Sequence, residues 1–193
     1  MSIQVVDNFL TEEETKKAYK YAQRSRNWGF QTSNPSWKFE TSKPSKTNPI
    51  SNSFLYLNIP EEETFFYETI FSKIEKIINE ELTLQRVYIN GQSFGSNGTF
   101  HTDGCDKTAL IYLSPYDIEW GGFTEFILNE NSDYPEIKCV APFTSSMVIF
   151  DGNILHKGYS YSYQHCPIRY SLAYKLERKV EYESDLENVL IYS

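Results

Sequence analysis

From residue 84 onward the sequence is a series of short apolar segments separated by turn-forming residues. Gly, Asn, Asp and Pro lie between the segments, which are LQRVYI, TALIYLS, FTEFIL, EIKCVA, SSMVIF and RYSLAYKL. Segments of this length and punctuation predict β-strands rather than helices. A run of six or more such strands favours an antiparallel sandwich or jelly roll.

The N-terminal part of the chain predicts two helices. Thr11 and Glu14 have the spacing of a capping box, which predicts a helix from this point to about Arg26. A second helix is predicted over residues 61–82, with acidic residues at its N-terminal end. Its apolar residues recur at helical spacing: Ile70, Ile74, Ile77, Ile78 and Leu82. We therefore expect an α+β, mainly β fold, a double-stranded β-helix (jelly roll) with the N-terminal helices packed on the outside.

A chain of 193 residues suits one domain with one sizeable core. We expect residues 1–193 to form it, with 1–83 as helical support and 84–178 as the jelly-roll core. The stretch 27–53 is polar and contains large aromatic residues: Trp28, Phe30, Trp37 and Phe39. It is interpreted either as a loop anchored by a small hydrophobic cluster or as a lid over a site.

Composition argues against several classes of function. The net charge of −8 argues against a nucleic-acid partner, which usually requires a basic face. The three cysteines are widely spaced and form no CxxC pair, which argues against a thiolate zinc site or a disulfide framework. We expect no signal peptide, no membrane span and a cytoplasmic location.

Three residues form a candidate metal site: His101, Asp103 and His156. His101 and Asp103 lie two apart, so on an extended strand their side chains would point the same way. Two imidazoles and one carboxylate leave one face of a metal ion open, which is the ligand set of a non-heme Fe(II) oxygenase. Either histidine alone could be structural, and an HxD pair alone is weak evidence. His165, the third histidine, is interpreted as a surface residue.

Catalytic zinc is an alternative occupant of a three-ligand site. The sequence contains no HExxH element that would supply a general base for zinc hydrolysis. Zinc also does not explain Arg169, which lies thirteen residues after His156 and between apolar segments. Such an arginine is expected to face inward and to bind an anion near the metal. Ser171 lies on the same face of the same strand.

Between about Arg86 and Leu176 the sequence resembles the Fe(II)/2-oxoglutarate-dependent dioxygenases, in particular the prolyl 4-hydroxylase-like branch. The resemblance rests on HTD, on SSMVIFDGNILHKG, on RYS and on WGGFTEF. It implies that His101, Asp103 and His156 bind Fe(II), and that Arg169 and Ser171 bind the distal carboxylate of 2-oxoglutarate.

The same resemblance implies that Tyr88 and Tyr112 contact 2-oxoglutarate. It further implies consumption of O2, release of succinate and CO2, and hydroxylation of a C–H bond, with ascorbate as a further candidate cofactor. The expected substrate is a prolyl residue in a peptide or protein, and a small molecule is the alternative. The nucleic-acid demethylase branch has a second Arg six residues after the first, where this chain has Lys175, so that branch is disfavoured.

Two other readings remain open from the sequence. One is a metal-binding jelly roll without redox activity, such as a cupin-like isomerase or a binding module. The other is an inactive relative that serves as a scaffold, against which the intact HxD…H set argues.

Overall fold

The computed structural model of this chain describes residues 3–31, 54–129 and 132–179. Two α-helices are present in these ranges, α1 (Glu12–Arg24) and α2 (Phe71–Ile78), the second preceded by a π-helical segment, Phe65–Ile70. The strands are β1 (Ile3–Val6), β2 (Gly29–Gln31), β3 (Phe54–Asn58), β4 (Leu82–Gln92), β5 (Lys107–Tyr112), β6 (Thr124–Leu128), β7 (Glu136–Val140), β8 (Met147–Asp151), β9 (Leu155–Gly158) and β10 (Arg169–Arg178).

The strands form two antiparallel sheets. The larger sheet has the order β1-β8-β5-β10-β4-β3-β2, and the smaller has the order β7-β6-β9. Strand β10 lies at the centre of the larger sheet, between β4 and β5. The residues on its inner face lie opposite the smaller sheet, where Arg169 of β10 bonds Thr124 of β6. This two-sheet arrangement confirms the predicted mainly β jelly roll.

Side chains alternate between the two faces of the larger sheet, so the sheet separates two hydrophobic clusters. On β4, Val87 and Ile89 pack toward the helices, whereas Tyr88 between them faces the smaller sheet. On β10, Leu172 and Tyr174 likewise belong to the helix-side cluster. The helices therefore cover the outer face of the larger sheet, as predicted, and the space between the sheets is left for the site.

Helix α1 forms as its sequence predicts. The Thr11 hydroxyl accepts from the backbone N–H of Glu14, and the Glu14 carboxylate accepts from the backbone N–H of Thr11. The helix buries Ala18 and Ala22 completely against the sheet. It ends at Arg24, two residues earlier than expected.

The second predicted helix was wrong in its bounds. Residues 61–63 are not helical but lie in a turn, in which the backbone N–H of Glu63 donates to the carbonyl of Pro60. Helix α2 ends at Ile78, because the left-handed conformation of the next residue, Asn79 (φ 52°), terminates it, and Leu82 begins β4 instead. The apolar pattern in the sequence extends to Leu82 because this residue is buried in the same core as the helix residues, although it belongs to a strand.

Trp28, at the start of the predicted loop, packs against the core, whereas residues 32–53 of that loop lie outside the described residues. The Trp28 indole stacks on Tyr170 with centroids 5.4 Å apart, and its Nε1 donates to the carbonyl of Ala22. It is thus part of the packing between α1 and the sheet. Trp37 and Phe39 lie outside the described residues. Within the described ranges, every helix is too short and too polar to cross a bilayer.

Candidate metal centre and carboxylate pocket

The structure brings His101, Asp103 and His156 together between the two sheets. One ligand atom from each lies within 4.8 Å of the others. The Nε2 atoms of His101 and His156 are each 3.4 Å from a carboxylate oxygen of Asp103. The HxD segment is not an extended strand as expected, since His101 forms only an isolated bridge with His156. Two backbone hydrogen bonds of 3.0 Å hold that bridge and align the imidazoles.

Both histidines are oriented by backbone carbonyls two residues earlier in the chain. His101 Nδ1 lies 2.8 Å from the carbonyl of Thr99, and His156 Nδ1 lies 2.8 Å from that of Ile154. A carbonyl can only accept, so each Nδ1 carries the proton and each Nε2 presents its lone pair toward the cluster. This is the tautomer that a metal-ligating histidine requires.

Electrostatics keep the cluster in its ligating protonation state. Burial opposes ionisation of Asp103, but His101, Lys175 and His156 outweigh it and hold the pKa of the carboxyl well below its usual range. Burial, the largest cause, lowers the pKa of His156 to about 4. At neutral pH the centre therefore offers a carboxylate and a neutral buried imidazole, which is the form that binds a divalent cation.

Asp103 has two further partners that the sequence did not predict. Thr108 donates to its Oδ2 at 2.6 Å, and the ammonium of Lys175 forms an ion pair with the same oxygen. Lys175 is only 8 % exposed. Burial opposes its charged form, but Tyr88 and Asp103 outweigh that effect and raise the pKa of Lys175.

Arg169 is buried at the other end of the same face of β10. It is 2 % exposed, as its apolar flanks predicted. Its Nε donates to the carbonyl of Gly122 (2.8 Å), its Nη1 to Gln92 Oε1 (2.7 Å) and its Nη2 to Thr124 Oγ1 (2.9 Å). A guanidinium has five N–H groups, so one remains on each of Nη1 and Nη2. Two parallel N–H groups match the two oxygens of a carboxylate.

No Asp or Glu among the described residues forms an ion pair with Arg169. Its three partners are neutral, and burial lowers the pKa of the guanidinium. Burial of a cation without an anionic partner costs on the order of several kcal/mol, because the charge loses its hydration. The pocket is therefore built to receive an anion.

Of the other predicted residues, some line the cavity of the site and others lie outside it. Ser171 and Tyr88 line the cavity that contains the metal-ligand cluster and Arg169. Tyr112 lies behind it, with its ring 5.2 Å from the Arg169 guanidinium and its hydroxyl donating to Thr124. His165 is exposed and stacks on Tyr163, apart from the cluster.

Sequence reasoning missed the residues that hold Arg169. Gln92 accepts from Arg169 and donates to the carbonyls of Ser96 and Gly158, so its amide is fixed on both sides. Thr124 is 1 % exposed. A buried Gln at the end of a strand is a signal for such a role, but its partner is 77 positions distant and depends on the pairing of β4 with β10.

Gly122, in the segment WGGFTEF, forms part of the turn that leads into β6. Its φ is +75°, and an added Cβ would lie 2.6 Å from the Tyr161 ring. No other residue fits there, because both the conformation and the close approach require Gly. The carbonyl exposed by this turn is the one that accepts from Arg169 Nε.

Comparison with known proteins gives relatives by structure only. The sequence matches no protein-family model and no curated protein. A prolyl hydroxylase from Trichoplax adhaerens, solved with a peptide of the hypoxia-inducible factor oxygen degradation domain, is similar with a TM-score of 0.65 and 14% identity over 91% of this chain and 83% of that one. A 2OG-Fe(II) oxygenase-family oxidoreductase from Burkholderia pseudomallei has a TM-score of 0.65 and 13% identity over 92% of this chain and 85% of its own.

A third similar structure is that of an enzyme from nogalamycin biosynthesis. It is SnoK, a non-heme alpha-ketoglutarate-dependent carbocyclase from nogalamycin biosynthesis, with a TM-score of 0.63 and 11% identity over 91% of this chain and 79% of that chain. At these identities the likenesses show the fold. They confirm that this chain has the fold of the prolyl hydroxylases and 2OG-Fe(II) oxygenases that its sequence resembles.

Proposed function

We propose that this protein is an Fe(II)- and 2-oxoglutarate-dependent dioxygenase. One observation carries the proposal: a His-Asp-His cluster and a buried guanidinium without an anionic partner among the described residues line one cavity. The cluster fits a divalent cation, and the guanidinium fits one end of a dicarboxylate. In this fold, a bound iron and 2-oxoglutarate would use O2 to hydroxylate a C–H bond, with release of succinate and CO2.

The chain's own residues bind and orient. His101, Asp103 and His156 supply three ligands and leave the remaining positions of the metal open. The two unused N–H groups of Arg169 fix the distal carboxylate of 2-oxoglutarate, with the buried Ser171 hydroxyl on the same strand face. Because Arg169 is held by three neutral partners, the carboxylate would supply its charge.

Apolar side chains exclude water from the side of the cluster that faces the core. Phe126 and Phe150 pack around the His156 ring, with centroids 6.0 and 4.7 Å away. His101 is 49 % exposed on the opposite side, so this is the side open to a substrate. The asymmetry would leave the exposed side for a substrate to approach a bound metal, and it would keep water away from the side that faces the core.

The proposed substrate is a prolyl residue in a peptide or protein. Support comes from the Trichoplax adhaerens prolyl hydroxylase, which has the same fold and was solved with a peptide. An opening beside a half-exposed ligand is compatible with an extended chain. A small-molecule substrate is the alternative, and the likeness to SnoK favours it equally at the level of fold.

A metal-binding jelly roll without redox activity is the second candidate function. It would use the same three ligands. It gives no reason for a fully buried arginine whose described partners are all neutral, and this observation favours the oxygenase.

The test is release of succinate from 2-oxoglutarate, screened against proline-containing peptides with Fe(II) present. Asp103→Ala and His156→Ala are expected to abolish release. His165→Ala is the matched control, since that histidine is exposed and outside the cluster. Full succinate release by either ligand variant would refute the proposal, and release with non-peptide substrates alone would leave the oxygenase and remove the prolyl specificity.

A further inference from the structure

Lys175 is a buried lysine aimed at the predicted metal centre. It lies on the inner face of β10, six residues after Arg169, and lines the same cavity. Its ammonium contacts Asp103 Oδ2, the hydroxyl of Thr108 at 3.2 Å and the ring face of Tyr88 at 5.7 Å. The proposed function gives this residue no role.

We propose that Lys175 is an internal counter-cation that shares the Asp103 carboxylate with the metal and weakens divalent-cation binding. The inference rests on the proposed metal site. Lys175 is a positioning residue in this account, because it acts through Asp103 and does not ligate the metal.

The two carboxylate oxygens of Asp103 have different partners. Oδ2 accepts from Thr108 and Lys175 and lies 3.4 Å from the Nε2 of His156, whereas Oδ1 lies 3.4 Å from the Nε2 of His101. A metal held by both histidines would therefore meet Oδ1 without competition from these two donors, whereas any contact with Oδ2 would be shared with Lys175 and Thr108.

Charge determines the sign of the effect. Without metal, Lys175 neutralises a carboxylate that is only 4 % exposed, and this stabilises the empty site. With metal, the ammonium lies within a few ångströms of a second cation. Both effects favour the metal-free state, so removal of the charge should tighten binding. Even with the screening of bulk water, a unit charge about 4 Å from a divalent cation changes its affinity at least tenfold.

Lys107 provides a comparison within the same protein. It is equally buried, at 8 % exposure, but it pairs with Glu80 (3.3 Å) and Asp151 (3.8 Å), which lie outside the cluster. An ordinary structural ion pair is therefore available elsewhere in the fold. Only Lys175, among the described lysines, contacts a predicted metal ligand.

The experiment is calorimetric titration of the metal-free protein with Mn²⁺, without 2-oxoglutarate. Lys175→Met and Lys175→Gln remove the charge, Lys175→Arg retains it, and Lys107→Met is the control. We expect the two neutral variants to bind Mn²⁺ at least about tenfold more tightly than the wild type. We expect Lys175→Arg to stay within about threefold of it, and Lys107→Met to be unchanged.

Equal or weaker binding by the neutral variants would overturn the inference, since it would make Lys175 a plain support for Asp103. If the neutral variants do not fold without metal, they are refolded with Mn²⁺, which should replace the missing charge. Rescue supports the inference, and failure to rescue contradicts it. Absence of Mn²⁺ binding by the wild type would instead refute the proposed function, so the two failures are distinguishable.

Discussion

Replacing Thr124 by Asp would give Arg169 an anionic partner, which it does not have among the described residues. Thr124 Oγ1 accepts from Arg169 Nη2 at 2.9 Å and from the Tyr112 hydroxyl at 2.8 Å. A carboxylate in this position would accept both hydrogen bonds and neutralise the guanidinium from within. Thr124→Asn is the matched control, because it has the same shape and can accept the same bonds without the charge.

The structure sets the expected size of the effect. Two unit charges about 4 Å apart near a protein surface interact by roughly 4 kcal/mol. If the interaction of Arg169 with the ligand loses about half of this energy, 2-oxoglutarate binding weakens by ~2 kcal/mol, which is about 30-fold in the dissociation constant. The same pairing should make the ligand-free Thr124→Asp protein about 1 kcal/mol more stable than Thr124→Asn, or about 2–4 °C in Tm.

Both quantities can be measured on the same samples. Dissociation constants for 2-oxoglutarate are obtained by calorimetry with Mn²⁺ present, and Tm by thermal unfolding without ligand. We expect weaker ligand binding and higher stability for Asp than for Asn. Equal 2-oxoglutarate affinities for the two folded variants would refute the reasoning that Arg169 is reserved for a carboxylate.

Three further outcomes are expected. Arg169→Met should raise the KM for 2-oxoglutarate in the succinate assay by at least about 30-fold, whereas Arg178→Met, at the exposed end of the same strand, should not change it. Because burial lowers the pKa of His156 from 6.5 to about 4, the folded state binds fewer protons than the unfolded state between these values. The free energy of unfolding of the metal-free protein should therefore fall by about 3 kcal/mol as pH decreases from 6.5 to 4, and urea unfolding of His156→Gln should lack this component; parallel curves would contradict it. Trp28→Ala should lower the free energy of unfolding by about 3 kcal/mol without changing the ratio of succinate formed to substrate hydroxylated, since Trp28 packs on Tyr170; a changed ratio in the folded variant would favour the lid.

The six strands predicted after residue 83 and helix α1 were predictable because their signals are local, whereas the short strands β2 and β9 were not among the predicted segments. The capping box of Thr11 and Glu14 depends on residues three apart, and the alternation along β10 placed Arg169 and Ser171 on one face. The second helix failed at both ends. Local periodicity does not distinguish a buried residue in a helix from one at the start of the next strand, which is where Leu82 lies.

The candidate metal ligands could be selected from the sequence, whereas the residues that hold Asp103 and Arg169 in place could not. His101, Asp103 and His156 could be selected because so few histidines are present and their spacing is characteristic. Gln92 and Lys175 could not be assigned, because each acts through a partner more than 70 positions away. Such pairs depend on the register of neighbouring strands and on the packing of the two sheets, which single-sequence patterns do not specify.

The central claim is that the three-residue cluster and Arg169 form one composite site for a divalent cation and a dicarboxylate. The direct test is the dissociation constant of 2-oxoglutarate from the wild-type protein, measured by calorimetry with and without saturating Mn²⁺ in the absence of O2. If one ligand bridges the metal and Arg169, Mn²⁺ should tighten 2-oxoglutarate binding at least about tenfold, to one molecule per chain. Affinities that are the same with and without the metal would contradict the account.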